Sequence, residues 1–315
     1  MTNYPTTVVY DDYWRFAAER QSIYLKRNAG LPGPWTQDPI LATYKFTNAY
    51  RASDRVSQYL IREVQYGEGR SQSTREVYFR TMLFKIFNKI ETWEMIEAQT
   101  GPIKISTGLD TIQLILDHAF AAGKRIYSAA YIMPAPLLGE KRKHTNHLRL
   151  LDSTMSSDMP FLLANSDSLK SAYEMLLALP GLGKFLAFQY AIDLNYSTVM
   201  DHDEAEFVIA GPGARDGIAK CFEATGVSDE EIIMHMVDIQ DQEFERLGID
   251  FPGLYGRKLQ PIDCQNLFCE ISKYARVAHP TIVGANTRTK IKQNFKQHAS
   301  AVPAPFFPPK WNLSC

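Results

Sequence analysis

The sequence predicts an all-α protein. Apolar residues recur at helical intervals through most of its 315 residues. Proline, glycine and polar clusters fall between those runs rather than inside them. Only Lys124 to Met159 loses the period, in a short β-like run, a proline-bounded turn and a basic segment.

Residues 11–28, DDYWRFAAERQSIYLKRN, read as a helix with acids at its start and bases at its end, matching the helix dipole. GLPGPW at 30–35 breaks it. Asp38-Pro39 opens a second helix, and Ser53 is the expected N-cap of a third. GEGRSQ is a loop. Beyond it, Val77, Met82, Phe84, Ile86, Phe87 and Ile90 stand at helical spacing and read as core. ISTGLDTIQLILDHAFAAGK is a further helix ending near Gly123. After the irregular stretch, helices are expected at 168–178, 183–195, 214–224, 229–246 and 263–277. The tail AVPAPFFPPKWNLSC, too proline-rich for a helix, reads as an extended strap anchored by Phe306, Phe307 and Trp311. The expected organisation is one helical domain over 1–315, with lobes near 30–165 and 166–280 and the strap at 300–315.

Composition is that of a globular chain, 45% hydrophobic and 22% charged. A net charge of −1 gives no global basic field, so any nucleic-acid surface must be local. No apolar run is long enough for a membrane span, and the N-terminus lacks the basic and apolar regions of a signal peptide, so a cytoplasmic protein without a membrane partner is expected. Cys221, Cys264, Cys269 and Cys315 form no C-x-x-C pair and no zinc spacing, so neither a metal nor another cofactor is expected. The phosphate-binding pattern G-x-x-x-x-G-K-[ST] fails at Lys184, which precedes Phe185 rather than a hydroxyl residue.

Chemistry concentrates in Leu179–Asp203, LPGLGKFLAFQYAIDLNYSTVMDHD. Pro180, Gly181 and Gly183 join two helical runs in a tight hairpin. Glycines there permit positive φ and close approach of a ligand, and the new helix N-terminus favours an anion such as a DNA phosphate. Gly181, Gly183 and Lys184 are therefore candidate DNA contacts, with Lys141, Arg142 and Lys143 from the densest basic cluster. Asp201, Asp203 and Glu204 are candidate catalytic acids, though such acids also cap helices. Asn48, Arg51 and Arg55 offer amide and guanidinium groups, the two arginines sharing a face if one helix runs through Ser53. Asp263, Asn266, Glu270 and Lys273 form one polar stripe, which reads either as a solvated face or as part of a base pocket. Tyr131, with Tyr127, Met133, Phe84, Phe87 and Trp93, could stack an extruded base or simply fill the core.

LPGLGKFLA resembles the hairpin of the helix-hairpin-helix DNA glycosylase superfamily. That resemblance implies a two-lobed helical fold with a base flipped between lobes. It also implies a catalytic Asp 22 residues after Gly181, which is Asp203. The lyase Lys of bifunctional members falls at Phe185, so a monofunctional hydrolase without Schiff-base chemistry is implied. The four-cysteine iron–sulfur loop of some members is absent. WTQDPILATYKFTNAYRASDRVSQYL, LFKIFNKIETWE, EFVIAGPGARDGIAKCF and DCQNLFCEISKYAR, together with the hairpin, resemble the alpha-glutamyl/putrescinyl thymine pyrophosphorylases and the helical domain of 5-hydroxymethyluracil DNA kinases. Those families imply modified thymines in phage DNA.

Two enzymatic expectations follow. In the leading one, a DNA glycosylase flips and excises a bulky modified pyrimidine with help from Asp203, in phage defence or a related setting. In the other, a transferase replaces pyrophosphate on a 5-hydroxymethyluracil-derived base with an amine, in DNA hypermodification. Arg51, Arg55 or Lys273 would then hold the leaving group and an acid would deprotonate the amine. A non-catalytic DNA-binding subunit is a third. In each the partner is DNA carrying modified bases.

Overall fold

Thirteen α-helices account for the regular structure of the computed structural model, which describes residues 4–129, 133–296 and 303–314. Among these residues no strand forms, only isolated bridges such as Tyr44 with Asn294. The all-α expectation holds. The chain divides into two compact units at Asp54/Arg55 and Glu206/Phe207, rather than near residue 165.

Unit 1 comprises residues 1–54, 207–305 and 311–315. It contains α1 (Val9–Asn28), α2 (Pro39–Thr43), α11 (Pro212–Cys221), α12 (Asp229–Arg246) and α13 (Pro261–Ala278). Local chemistry sets their starts. Asp38 accepts from Ile40 and Leu41 N–H ahead of Pro39. Ser228 and Glu231 exchange bonds in a capping box at α12, and Asp263 returns to the Gln260 N–H at α13. The core is aromatic: Trp14 meets Phe244 at 5.1 Å and Tyr13 meets Phe268 at 4.6 Å. Helices α11 and α13 pack along each other. At Gly217 an added Cβ would lie 2.0 Å from the Phe268 carbonyl oxygen, so the pairing requires a residue with no side chain there. Gly211-Pro212-Gly213 thus opens α11, and Gly217 farther along that helix serves packing.

Unit 2 comprises residues 55–206 and 306–310. It contains α3 (Arg55–Tyr59), α4 (Thr74–Phe87), α5 (Ile90–Thr100), α6 (Leu109–Ala121), α7 (Lys143–Ser156), α8 (Met159–Ala164), α9 (Leu169–Leu177) and α10 (Lys184–Asn195). Helix α3 widens into a π-helical stretch, Leu60–Gln65. The fully buried Arg80 takes the carbonyls this exposes, donating to Val64 at 2.8 Å and to Gln65 and Ser71. Phe84, Phe87, Trp93 and Met133 are buried, as the core reading required, so they are unavailable to a flipped base. The described tail has no regular structure over 303–308 and forms one 3-10 turn, Pro309–Trp311; Phe307 is its buried anchor.

Candidate functional site

In unit 1 the polar stripe of α13 faces protein, not solvent. Its acids grip the segment that runs from Phe46 to Asp54. Thr47 N–H donates to Glu270 Oε2 at 3.1 Å, and Arg51 N–H donates to Asp263 Oδ1 at 2.8 Å. Two helical turns separate these acids, so one face of one helix fixes two points of the segment. Asn48 then folds the segment on itself: its N–H donates to Asp54 Oδ1 and its Nδ2 to the Ser53 carbonyl, both at 2.8 Å. Arg20 of α1 donates to the Thr47 carbonyl at 2.9 Å and to Asn48 Oδ1 at 3.0 Å. Lys273 closes the array, 2.6 Å from Glu270 Oε2 and 5.4 Å from the centre of the Phe46 ring. Asn266 is half-buried on the same helix between the two acids.

This cluster brings together Asn48, Arg51, Asn266, Glu270 and Lys273 from the sequence expectation. Arg55 is a correction. The 3-10 turn Arg51–Ser53 ends on an extended Asp54, which interrupts the helix, so the two arginines share no face. Arg51 is buried in unit 1, whereas Arg55 is exposed in unit 2, 3.3 Å from Glu91. Tyr131 lies outside the described residues.

Sequence reasoning missed Arg20 and left Asp54 out of the site. The segment FTNAYRASDRVSQYL offers Asp54 beside Asn48, Arg51 and Arg55, with an acid at the first helical position as its plainer reading. Asp54 keeps slight solvent access, yet burial pushes its carboxyl up to about 7, with Glu270 adding to the rise and the Asn48 N–H, Arg20 and Arg51 opposing it. Asp263 is pushed up to about 6 by burial, against the N–H groups of Arg51 and Gln260. Arg20 did carry a signal: it stands four residues from both Phe16 and Tyr24, on the apolar face of α1.

A folded-state value near 7 lies above the unfolded carboxylate value of about 3.9. The native protein therefore holds this proton more tightly. The stability it contributes is full below about pH 4 and is lost as pH rises through about 7. Asp54→Asn should flatten the stability profile across that window, and urea titrations from pH 4 to pH 8 measure it. An unchanged slope would mean that Asp54 titrates normally.

In unit 2, α9 and α10 pack together through the hairpin. Gly181 has φ +85°, and an added Cβ would lie 3.2 Å from Pro136 N. The close approach that demands glycine is thus to the chain's own 134–138 loop. Gly181→Asp would strain the hairpin as well as repel a phosphate. Gly183 and Lys184 are exposed at the start of α10, which has no side-chain cap. Lys141 and Arg142 are exposed ahead of α7, and Lys143 begins it. That helix corrects the irregular reading of the stretch. Its first turn buries polar residues (His144, Thr145, Asn146 and His147), and the apolar Leu148, Leu151 and Met155 follow only in its later turns. Arg142 pairs with Asp117 at 2.7 Å and Arg149 with Glu140 at 3.0 Å, which leaves less free charge than the composition suggested.

The acidic turn follows α10. Asp203 is exposed; its Oδ1 accepts the Ala205 N–H at 2.9 Å, closing the 3-10 turn Glu204–Glu206. Asp201 is exposed, 3.4 Å from Lys310, whereas Glu204 is buried. Asn195 and the His202 backbone exchange bonds of 2.9 and 2.8 Å, tying the turn to α10. No helix is long and apolar enough to cross a membrane among the described residues.

The sequence matches the family described as 5-hmdU DNA kinase, helical domain, over residues 7–284. The chain belongs to that family. It is 25% identical over 285 residues to a 5-hmdU DNA kinase of Bacillus phage SP10, an alignment covering 84% of this chain and 45% of the relative. The chain therefore spans less than half of that relative's length. No solved structure matches it. Family membership bears out one of the resemblances noted in the sequence, that to the kinase helical domain.

Proposed function

We propose that this member of the 5-hmdU kinase helical-domain family binds DNA carrying a 5-hydroxymethyluracil-derived base and displaces a phosphate-type leaving group from it. The reacting site is the α13 stripe with the 46–54 segment. The carrying observation is Asp54: a carboxyl poised near pH 7, hydrogen-bonded to Asn48 and facing Arg20, Arg51 and Glu270. Such an acid can take the proton from an attacking amine at neutral pH. Lys273 and Arg51 supply cations for the departing charge, and Asn48 and Asn266 offer amides to a base edge. The relative's name joins the same base to phosphoryl transfer, and a phosphorylated 5-methylene group is a chemically competent leaving group.

Excision is the second reading. It rests on Asp203, which stands 22 residues after Gly181 with its carboxylate exposed. In both readings Gly183, Lys184 and Lys141 to Lys143 meet the DNA backbone.

The test incubates the full chain with DNA bearing the phosphorylated or pyrophosphorylated base and an amine, then digests the DNA for mass spectrometry. A new base mass supports displacement, and abasic sites would replace it with excision. Asp54→Asn should lower turnover about 100-fold or more, as loss of a general base does. Wild-type turnover should climb as pH passes through about 7, because the base must be ionised. Full activity in Asp54→Asn would remove the acid from the mechanism.

A further inference from the structure

We propose that residues 287–296, together with Lys45, form a strip on unit 1 that holds the phosphate backbone of the DNA whose base enters the α13 site. The proposal rests on the DNA-binding reading above and adds a backbone contact within the same unit as the reacting groups. Charge is unevenly placed along the chain. Of its 34 lysines and arginines and 35 acids, seven cations and no acid follow Glu270. The net charge of −1 conceals that excess. Four of the seven, Arg288, Lys290, Lys292 and Lys296, stand within nine residues just past the 7–284 family match. They and Lys45 are exposed, and none has an ion-pair partner among the described residues.

The backbone of the segment is fastened to the supports of the site. Asn286 N–H donates to Oδ1 of the buried Asp216 at 2.8 Å, and Gly284 passes so close that a Cβ there would overlap the same carboxylate. Lys220 and Ser272 hold the other oxygen of that carboxylate. Arg276 of α13 donates to the Lys290 carbonyl at 3.3 Å. Lys45 N–H donates to the Gln293 carbonyl and Phe295 N–H to the Thr43 carbonyl, both at 2.9 Å, so Asn294 stands in an antiparallel bridge with Tyr44. The next residue, Phe46, begins the segment that Glu270 and Asp263 grip. The strip is thus tied to α11, α13 and the 43–45 stretch through its backbone, while its charged side chains stay exposed.

The side chains between the cations identify the occupant. Thr287, Thr289, Gln293 and Asn294 are exposed there. Hydroxyls and amides interleaved with Lys and Arg suit phosphate and sugar oxygens. A lipid surface takes apolar anchors alongside its cations, but Ile291 is half-buried and Phe295 only 36% exposed. Val283, 80% exposed, precedes the strip, and one valine buries too little surface to anchor a membrane or a protein. Protein interfaces are also depleted of lysine at their cores. Nucleic acid is the polyanion that this composition fits.

The test measures Kd of the full chain by anisotropy, across a salt series, for a 5-hydroxymethyluracil duplex and a thymine duplex of the same sequence. The variant Arg288→Gln/Lys290→Gln/Lys292→Gln/Lys296→Gln removes four charges and leaves every backbone anchor in place. Exposure of the four residues keeps it folded, and its melting temperature checks this. It should bind roughly tenfold or more less tightly at about 0.1 M salt, with the slope of log Kd against log salt reduced by about 3 to 4. The loss should be equal for the two duplexes, because phosphate contacts carry no sequence information. Lys290→Arg/Lys292→Arg/Lys296→Arg should bind as wild type does. An unchanged slope in the folded glutamine variant overturns the strip alone and leaves the DNA reading standing. So does binding to phosphatidylserine vesicles that this variant loses while its DNA slope stays, which assigns the strip to a lipid surface. A loss confined to the modified duplex also overturns it, since the residues would then act at the base. Failure of wild type to bind either duplex at low salt overturns the DNA reading itself, and the strip with it.

Discussion

Replacing Asp193 by alanine should cost unit 2 about 3–5 kcal/mol, a large share of the stability of a typical domain. Asp193 lies on α10 and Lys85 on α4, with their charged ends 2.5 Å apart and side chains only 3% and 4% exposed. Removing the carboxylate leaves an ammonium in the core without its counter-ion. The penalty is chiefly the desolvated charge, not the lost attraction. The double variant Lys85→Met/Asp193→Leu removes both charges at similar volume and should recover most of the loss. Urea unfolding of the two proteins measures this. If Asp193→Ala and the double variant were equally stable, water would be reaching Lys85 and the pair would not be a core element. The pair also fixes α10 against α4, so the DNA binding proposed for the hairpin should fall in step with stability.

Gly217→Ala should destabilise unit 1 by about 3 kcal/mol or more, at the upper end of overpacking costs. The added Cβ would lie 2.0 Å from the Phe268 carbonyl oxygen and 2.7 Å from its carbonyl carbon. These are backbone atoms inside α13, so no side-chain rotation relieves the overlap. The helices must separate, and the lost contact is spread along the pair. Displacing α13 also moves Asp263 and Glu270, which hold the 46–54 segment. Turnover should therefore drop even in molecules that remain folded. Gly183→Ala is the control, because nothing lies within 4 Å of the Cβ position there and φ is −80°. A melting temperature for Gly217→Ala matching wild type would mean that α11 and α13 slide apart at little cost.

These features differ in how visible they were. Helix α12 is expected at 229–246, the range it occupies, and the structure adds a capping box of Ser228 and Glu231 at its start. The hairpin was equally plain, since Pro180, Gly181 and Gly183 can do little else. The reverse holds for α7, whose first turn buries histidine, threonine and asparagine, so that its apolar residues begin only at Leu148. The stripe Asp263, Asn266, Glu270 and Lys273 was legible as a stripe. Its burial was not, because the partner is a loop more than two hundred residues earlier in the chain. Asp54 was opaque for the same reason. Its raised pKa comes from burial, with Glu270 adding to it, and that burial depends on groups distant in the chain.

The division of the chain also bears on the order of its synthesis. Unit 2 is almost one continuous run, 55–206, whereas unit 1 is assembled from residues on both sides of it. On the ribosome α1 and the 46–54 segment emerge long before α11 and α13, the helices that bury them. The apolar face of α1, with Tyr13, Trp14 and Phe16, must wait uncovered while unit 2 is made. Nascent chains of this kind depend on chaperones that shield an early helix until its late partners appear.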